Sequence, residues 1–330
     1  MRTDRSSAPS RFRLWLILWL LALVCVIGCE SRSKPPVRLA TLPWPGYEPI
    51  VLGRDLGYYE KRSVDILDFS TPTQVLRAFR NGAIDVGLLT MDQVLFLRQD
   101  IADLKIVLLL DFSNGADAVM AKPDIGSLQD LRGRRIGYEA NALGAYMLTR
   151  TLEQAGLRLH EVKAVSVELD EHEKAFRAGE VDAIVTSDPS RSRLLATGAK
   201  LLFDSSKIPN EITDVLVVRE SYLKSNPEAV EALLRGWFKA LKYMEANSED
   251  AYKRIGWRLK STPVELRDTF SLMKLLDLAE NRRLLTGNPP GLLPSVHRLV
   301  DIMLAHKMIA RPDAIETLFD GSLIEAIQRE

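Results

Sequence analysis

The segment RAFRNGAIDVGLLTMD at 77–92 returns as KAFRAGEVDAIVTSDP at 174–189, with Ala78, Phe79, Arg80, Gly82 and Asp85 answered in register by Ala175, Phe176, Arg177, Gly179 and Asp182. Each copy reads as the end of a helix, a glycine stop, then an apolar run that closes on small polar residues. That is one helix-strand unit. Two such units about a domain-length apart imply two similar lobes and exclude a short-period solenoid.

The rest of the chain fits that frame. From Val37 onward short apolar runs alternate with helical segments, the pattern of a largely parallel sheet covered on both faces. A first series of strands is expected at 37–42, 64–69, 85–90 and 104–111, and a second at 134–139, 164–169, 182–187 and 199–205, with Ser127 as a helix cap between them. One more strand is expected at 214–219. Beyond Asn226-Pro227, which read as cap and first helical residue, the pattern is helical to the end. Helices without a new sheet must pack on an existing lobe. The chain is therefore expected to build lobe 1 from 37–120 and 212–330 and lobe 2 from 121–211, with the two crossings as a hinge.

The first residues carry Arg2, Arg5, Arg11 and Arg13, then an apolar stretch from Leu14 to Ile27 and Gly28-Cys29. This is the pattern of a signal peptide, and it is shorter than the ~20 residues of a membrane span. Val26-Ile27-Gly28-Cys29 resembles a bacterial lipobox, so residues 1–29 are expected to be a lipoprotein leader with Cys29 as the lipidated residue, and 30–36 a tether. Both cysteines, Cys25 and Cys29, fall in this segment, which leaves the mature part no disulfide and no thiol nucleophile. With 44 basic and 44 acidic side chains the formal charge is zero, so nothing steers the molecule toward nucleic acid.

Several stretches together carry a family resemblance: LGYYEKRSVDI at 56–66, LRAFRNGAIDVG at 76–87, SLQDLRGRRIGYE at 127–139, FRAGEVDAIVTSDP at 176–189 and HKMIARPDAIETLFD at 306–320. In this order and spacing the chain resembles the solute-binding proteins of ABC importers, in the nitrate, sulfonate, taurine and thiamine-precursor branch. The resemblance implies an α/β fold of two doubly wound lobes with a hinge and a central ligand cleft, periplasmic-binding-protein-like of type II, and a helical C-terminal tail on lobe 1. It also implies a monomer in the bacterial cell envelope, lipid-anchored and facing the periplasm or exterior, that hands a small solute to an ABC permease.

In open α/β sheets a ligand lies outside the carboxyl ends of the strands. Each copy of the repeat would then deliver its last residues to the cleft: Thr90, Met91 and Asp92 from lobe 1, Ser187 and Asp188 from lobe 2. Phe79 and Phe176 are expected in the core and Gly82 and Gly179 as helix stops. The first strand of lobe 1 runs into TLPWPGYEP, where Thr41, Trp44, Gly46 and Tyr47 form a shaped loop with a flat aromatic wall. At the matching point of lobe 2, Glu139 ends a strand, Asn141 caps the next helix and Gly144 lies in its first turn. Asp111, Ser113 and Asn114 stand at the end of the strand before the first crossing.

The resemblance implies that oxyanion-binding relatives use the helix start of lobe 2, because free N–H groups and the helix dipole favour negative charge. Here Glu139 stands beside that start, and Asp92, Asp111 and Asp188, with Asp117 and Asp214 near the hinge, add more carboxylates. An unpaired carboxylate cluster costs several kcal/mol unless a cation or a donor-rich ligand compensates. The expected ligand is therefore a small polar molecule that is cationic or rich in N–H donors, with a sulfonate-type anion as the rival. His160, His172, His297 and His306 are scattered, without the spacing of a zinc site, and no phosphate loop or nucleophile elbow is present. Neither metal nor cofactor is expected. Binding without chemistry is the reading; the alternatives are a ligand-sensing lipoprotein for a signalling partner and a thiamine-pyrimidine synthase-like enzyme, whose cysteine-rich motif is missing from the mature chain.

Overall fold

The computed structural model describes residues 35–60, 63–312 and 314–327. The leader, Cys29 and residues 30–34 of the tether lie outside the described residues. The described residues from Pro36 onward belong to one compact unit. Among the described residues no helix is long and apolar enough to cross a membrane.

Two sheets organise the chain. The first contains β1 (Val37–Thr41), β2 (Val64–Asp68), β3 (Val86–Thr90) and β4 (Lys105–Ser113), interleaved with α1 (Glu48–Asp55), α2 (Pro72–Arg80) and α3 (Met91–Leu97). The second contains β5 (Asp117–Ala121), β6 (Arg135–Tyr138), β7 (Lys163–Ser166), β8 (Ala183–Ser187) and β9 (Lys200–Asp204), with α4 (Ala142–Ala155), α5 (His172–Ala178) and α6 (Ser190–Ala196). The chain then returns as β10 (Thr213–Val218) and β11 (Met273–Leu275) to the first sheet. Strand order is β11-β4-β10-β3-β1-β2 in the first sheet and β7-β6-β8-β5-β9 in the second. This is the two-lobed α/β architecture expected from the repeat.

A crossing inserts one reversed strand within each sheet, and β11 adds a second at the edge of the first. β10 runs antiparallel between β3 and β4, and β5 runs antiparallel between β8 and β9. Asn114-Gly115 make the turn that ends β4, Gly115 standing at φ +118°, so the first change of sheet falls at 114–116, earlier than the expected boundary near 120. Ser205 ties the two crossings together, its hydroxyl 2.8 Å from Ser113 Oγ and accepting from the Gly115 N–H at 2.6 Å.

The repeat explains its own residues. Gly82 and Gly179 follow their helices at φ +67° and +74°, where a left-handed backbone favours glycine. Phe79 is fully buried and Phe176 nearly so. Asp85 accepts both Nε and Nη2 of Arg38 on β1 at 2.8 and 2.7 Å, and Asp182 accepts the same atoms of Arg135 on β6 at 3.1 and 2.7 Å. These forked pairs fix the strand that follows each helix to its parallel neighbour, β3 to β1 and β8 to β6, at the end of the sheet away from the carboxyl ends.

The C-terminal third forms α7 (Glu220–Ser225), α8 (Pro227–Ala246), α9 (Ser248–Leu259), α10 (Pro263–Phe270), α11 (Leu278–Leu285), α12 (Leu293–Ala305) and α13 (Ser322–Ala326). It packs on lobe 1. Asn281, wholly buried on α11, accepts the Leu109 N–H at 2.8 Å and donates to the Leu109 carbonyl at 2.9 Å, and Lys105 donates to the Thr317 carbonyl at 2.6 Å.

Candidate functional site

Reversed strands decide what reaches the cleft. A strand running against its neighbours starts where they end, so the first residues of β5 and β10 lie at the carboxyl ends of the parallel strands. Asp117 sits opposite Ser187, the last residue of β8. Asp214 sits opposite Thr90, the last of β3, and also opposite Asp111 on β4. The two lobes thus contribute matching pairs, a carboxyl beside a hydroxyl.

Trp44 and Tyr47 close one side, their rings edge-on with centroids 6.4 Å apart. Trp44 Nε1 donates to Asp111 Oδ2 at 3.2 Å and the Tyr47 hydroxyl donates to Asp214 Oδ1 at 2.5 Å. Gly46 makes the first of these bonds possible, because a Cβ on it would stand 2.0 Å from Asp111 Oδ2 and 2.4 Å from Trp44 Nε1. On the facing lobe the Asn141 side chain accepts the Gly144 N–H at 2.9 Å and caps α4, while the strand-end carbonyl of Glu139 would lie 2.1 Å from any Cβ on Gly144. Leu42, Leu143, Met147, Leu169 and Val185 complete an apolar wall. The cavity is small, about 60 Å³; at ~10–15 Å³ per water it admits only a few heavy atoms.

The floor is acidic. Asp92, Asp111, Asp117 and Asp214 are buried, and no lysine or arginine is among the residues lining the cavity. Burial pushes the carboxyls of Asp92 and Asp117 up to about 7, with Asp188 adding to the effect at Asp117. Asp111 and Asp214 are raised as well, by burial first and, for Asp214, by the neighbouring Asp111. Burial holds the His172 imidazole down near 4, and its Nε2 lies 3.2 Å from the Val167 carbonyl, so that nitrogen carries the proton and Nδ1 accepts from Thr186 at 3.1 Å. Several buried polar atoms have no protein partner: Asp214 Oδ2, Asp111 Oδ1, Asp92 Oδ2, Thr90 Oγ1 and Gln93 Nε2. Among the described residues no group of three or more His, Cys, Asp or Glu side chains is placed to hold a metal ion.

Of the residues singled out in the sequence, Trp44, Tyr47, Thr90, Glu139, Asn141, Gly144 and Ser187 line this cavity. The others lie elsewhere. Thr41 and Met91 are buried behind the wall, Gly46 and Asp111 sit beneath the aromatic loop, and Asp92 lies under the start of α3. Ser113 spends its hydroxyl on Ser205 and the Asp117 N–H, and Asn114 is exposed with its N–H donated to the Leu272 carbonyl. Asp188 accepts the Ser192 N–H at 3.3 Å and lines an outer groove instead. Asp117 and Asp214, expected near the hinge as part of the carboxylate cluster, also line the cavity, and Gln93, His172 and Thr186 line it without having been singled out for it.

Two sheets joined by two crossings, with a small, largely apolar cavity over an acidic floor between their strand ends, define the two-lobed architecture of periplasmic binding proteins. The chain belongs to the NMT1/THI5-like family, whose model matches residues 44–251. It is 24% identical to the taurine-binding periplasmic protein of Escherichia coli (strain K12) over 236 residues, covering 70% of this chain and 72% of that one. It is 23% identical to the 4-amino-5-hydroxymethyl-2-methylpyrimidine phosphate synthase THI5 of Saccharomyces cerevisiae (strain ATCC 204508 / S288c) over 241 residues, 68% of this chain and 70% of that one. Among solved structures, the alkanesulfonate-binding protein SsuA from Xanthomonas axonopodis pv. citri bound to MOPS superposes with a TM-score of 0.71 at 19% identity, covering 85% of this chain and 96% of that chain.

Proposed function

We propose that this protein is the solute-binding component of an ABC importer: a lipoprotein, anchored through Cys29, that captures a small solute between its lobes and presents the closed form to a membrane permease. The taurine- and alkanesulfonate-binding relatives support the binding role over a synthase, as does a cavity lined by no cysteine. Trp44, Tyr47, Thr90, Asn141, Gly144 and Ser187 are the ligand contacts, joined by Asp117 and Asp214, and the jaws move about the crossings at 114–116 and 205–212.

The acidic floor without a lining lysine or arginine carries the ligand assignment. A sulfonate alone would be buried against ionisable carboxyls, whereas an ammonium or N–H-rich group supplies the charge and donors they lack. Calorimetry on the purified protein with ethanolamine, isethionate and taurine separates the cases, since the three share a two-carbon skeleton and differ in which ends are charged. Ethanolamine is expected to bind more tightly than isethionate. The reverse order would leave the binding role intact and overturn the cationic assignment.

A further inference from the structure

We propose that Glu139 is an interlobe latch: its carboxylate reaches from lobe 2 to the start of α2 in lobe 1 and holds the cleft shut before any solute arrives. The proposal rests on the two-jaw reading of the cleft.

Glu139 follows β6, at the strand's carboxyl end. Its Oε1 accepts the Thr73 hydroxyl at 2.5 Å and the Thr73 N–H at 3.2 Å. Thr73 is the second residue of α2, so its N–H is one that the helix itself leaves unpaired. A carboxylate there satisfies that donor and meets the positive end of the helix dipole. Glu139 and Pro72 both line the cavity, which puts the contact at the edge of the ligand space and not on the outer surface. Two other bonds between the lobes lie farther out: Arg193 Nη2 to the Leu259 carbonyl at 2.8 Å at the groove outside the mouth, and His306 Nε2 with Glu153 Oε1 at 2.8 Å between exposed side chains. With Glu139 committed to Thr73, solute recognition falls to the aromatic wall and the acidic floor.

The test measures the distance between lobes directly. Ser70 and Asp170 are exposed and stand on opposite sides of the mouth, and both native cysteines lie in the leader, so cysteine spin labels at these positions report opening. In the empty protein the wild type is expected to show mainly the short distance. Glu139→Ala should lower the closed-to-open ratio about tenfold, the scale of losing hydrogen bonds to a charged acceptor, and Glu139→Gln, which keeps an acceptor oxygen, should restore part of it. Thr73→Ala tests the same contact from the other lobe and serves if a Glu139 variant fails to fold. Unchanged distances in both alanine variants overturn the latch. Ethanolamine titrated into the same proteins then separates the two readings. Affinity falling in step with the closed fraction supports both; a latch response with no binding of ethanolamine, isethionate or taurine counts against the solute assignment alone.

Discussion

The two copies of the repeat do the same thing at one end and different things at the other. In both, a phenylalanine enters the core, a glycine ends the helix and an aspartate is held by an arginine from the neighbouring parallel strand. Beyond the strand they part. The lobe 1 copy runs into α3, whose first turn stays buried and brings Thr90 and Gln93 to the cavity. The lobe 2 copy brings Val185, Thr186 and Ser187 there from its strand, before Asp188 turns away to serve α6. Residues shared between the copies build a lobe, and residues that differ build the site.

The largest expected effect tests that division in the core. Phe79 is fully buried, and its ring occupies the space beside Gly87, where a Cβ would come within 2.4 Å of it. Phe79→Ala should cost ~3–5 kcal/mol. Phe176 retains 8% exposure, so Phe176→Ala should cost less. Urea unfolding of both variants makes the comparison, and equal losses would mean that the copies are energetically interchangeable.

Next is the pH dependence of the empty protein, which separates the floor from the repeat. Folding raises the carboxyls of Asp92 and Asp117 to about 7. A raised carboxyl favours the folded state while protonated, so its contribution is complete below about 4, the unfolded value, and is lost as pH climbs through 7. His172 acts the other way, losing stability as pH falls from about 6.5 toward 4. Asp111, Asp214 and Glu48 are raised in the same direction, so several carboxyls oppose one imidazole, and melting temperature should fall between pH 4 and 7. Asp92→Asn with Asp117→Asn should flatten that slope; a slope unchanged in the double variant would place its origin elsewhere.

The aromatic loop belongs to lobe 1 alone, with nothing like it after β6. Gly46→Ala would push a methyl between Trp44 and Asp111, at a cost of ~1–3 kcal/mol and a changed tryptophan fluorescence. Tyr47→Phe would leave Asp214 without its donor, also at ~1–3 kcal/mol, measured by thermal unfolding. Of the two, only Gly46→Ala should alter the fluorescence. A similar spectral change in Tyr47→Phe would tie the two hydrogen bonds into one unit.

What the sequence could and could not reveal follows from the same division. The repeat, the Pro-Gly loop, the Asn141 cap and the Asn226-Pro227 helix start are local patterns, and each stands where expected. Asp117 and Asp214 reach the cavity only because β5 and β10 insert in reverse between strands distant in sequence, and no local pattern records the direction of insertion. Thr186 and Gln93 were hidden for a related reason: a residue within a strand or helix shows its face only when the neighbouring element is known. Glu139 was noticed, but its partner Thr73 lies 66 positions away in the other lobe.

The smallest expected effect asks whether the shared half is as equal as it looks. Asp85 and Asp182 occupy equivalent places, yet Asp182 also accepts the backbone N–H of Arg135 at 2.9 Å and has Lys122 3.9 Å away. Arg135, with that backbone bond, holds the Asp182 carboxyl down near 2. Both arginines remain partly exposed, so solvent screens the pairs and each aspartate-to-asparagine change should cost only ~0.5–1 kcal/mol near neutral pH. Acid separates them. Stability from Asp182 is present above the unfolded value near 4 and is lost as pH falls through 2, so Asp182→Asn should lose most of its deficit relative to wild type in strong acid. Urea midpoints across that range test the point. A deficit that persists at pH 2 would mean that Asp182 acts by shape and hydrogen bonding, and that the charge of the repeated aspartate is incidental to the fold.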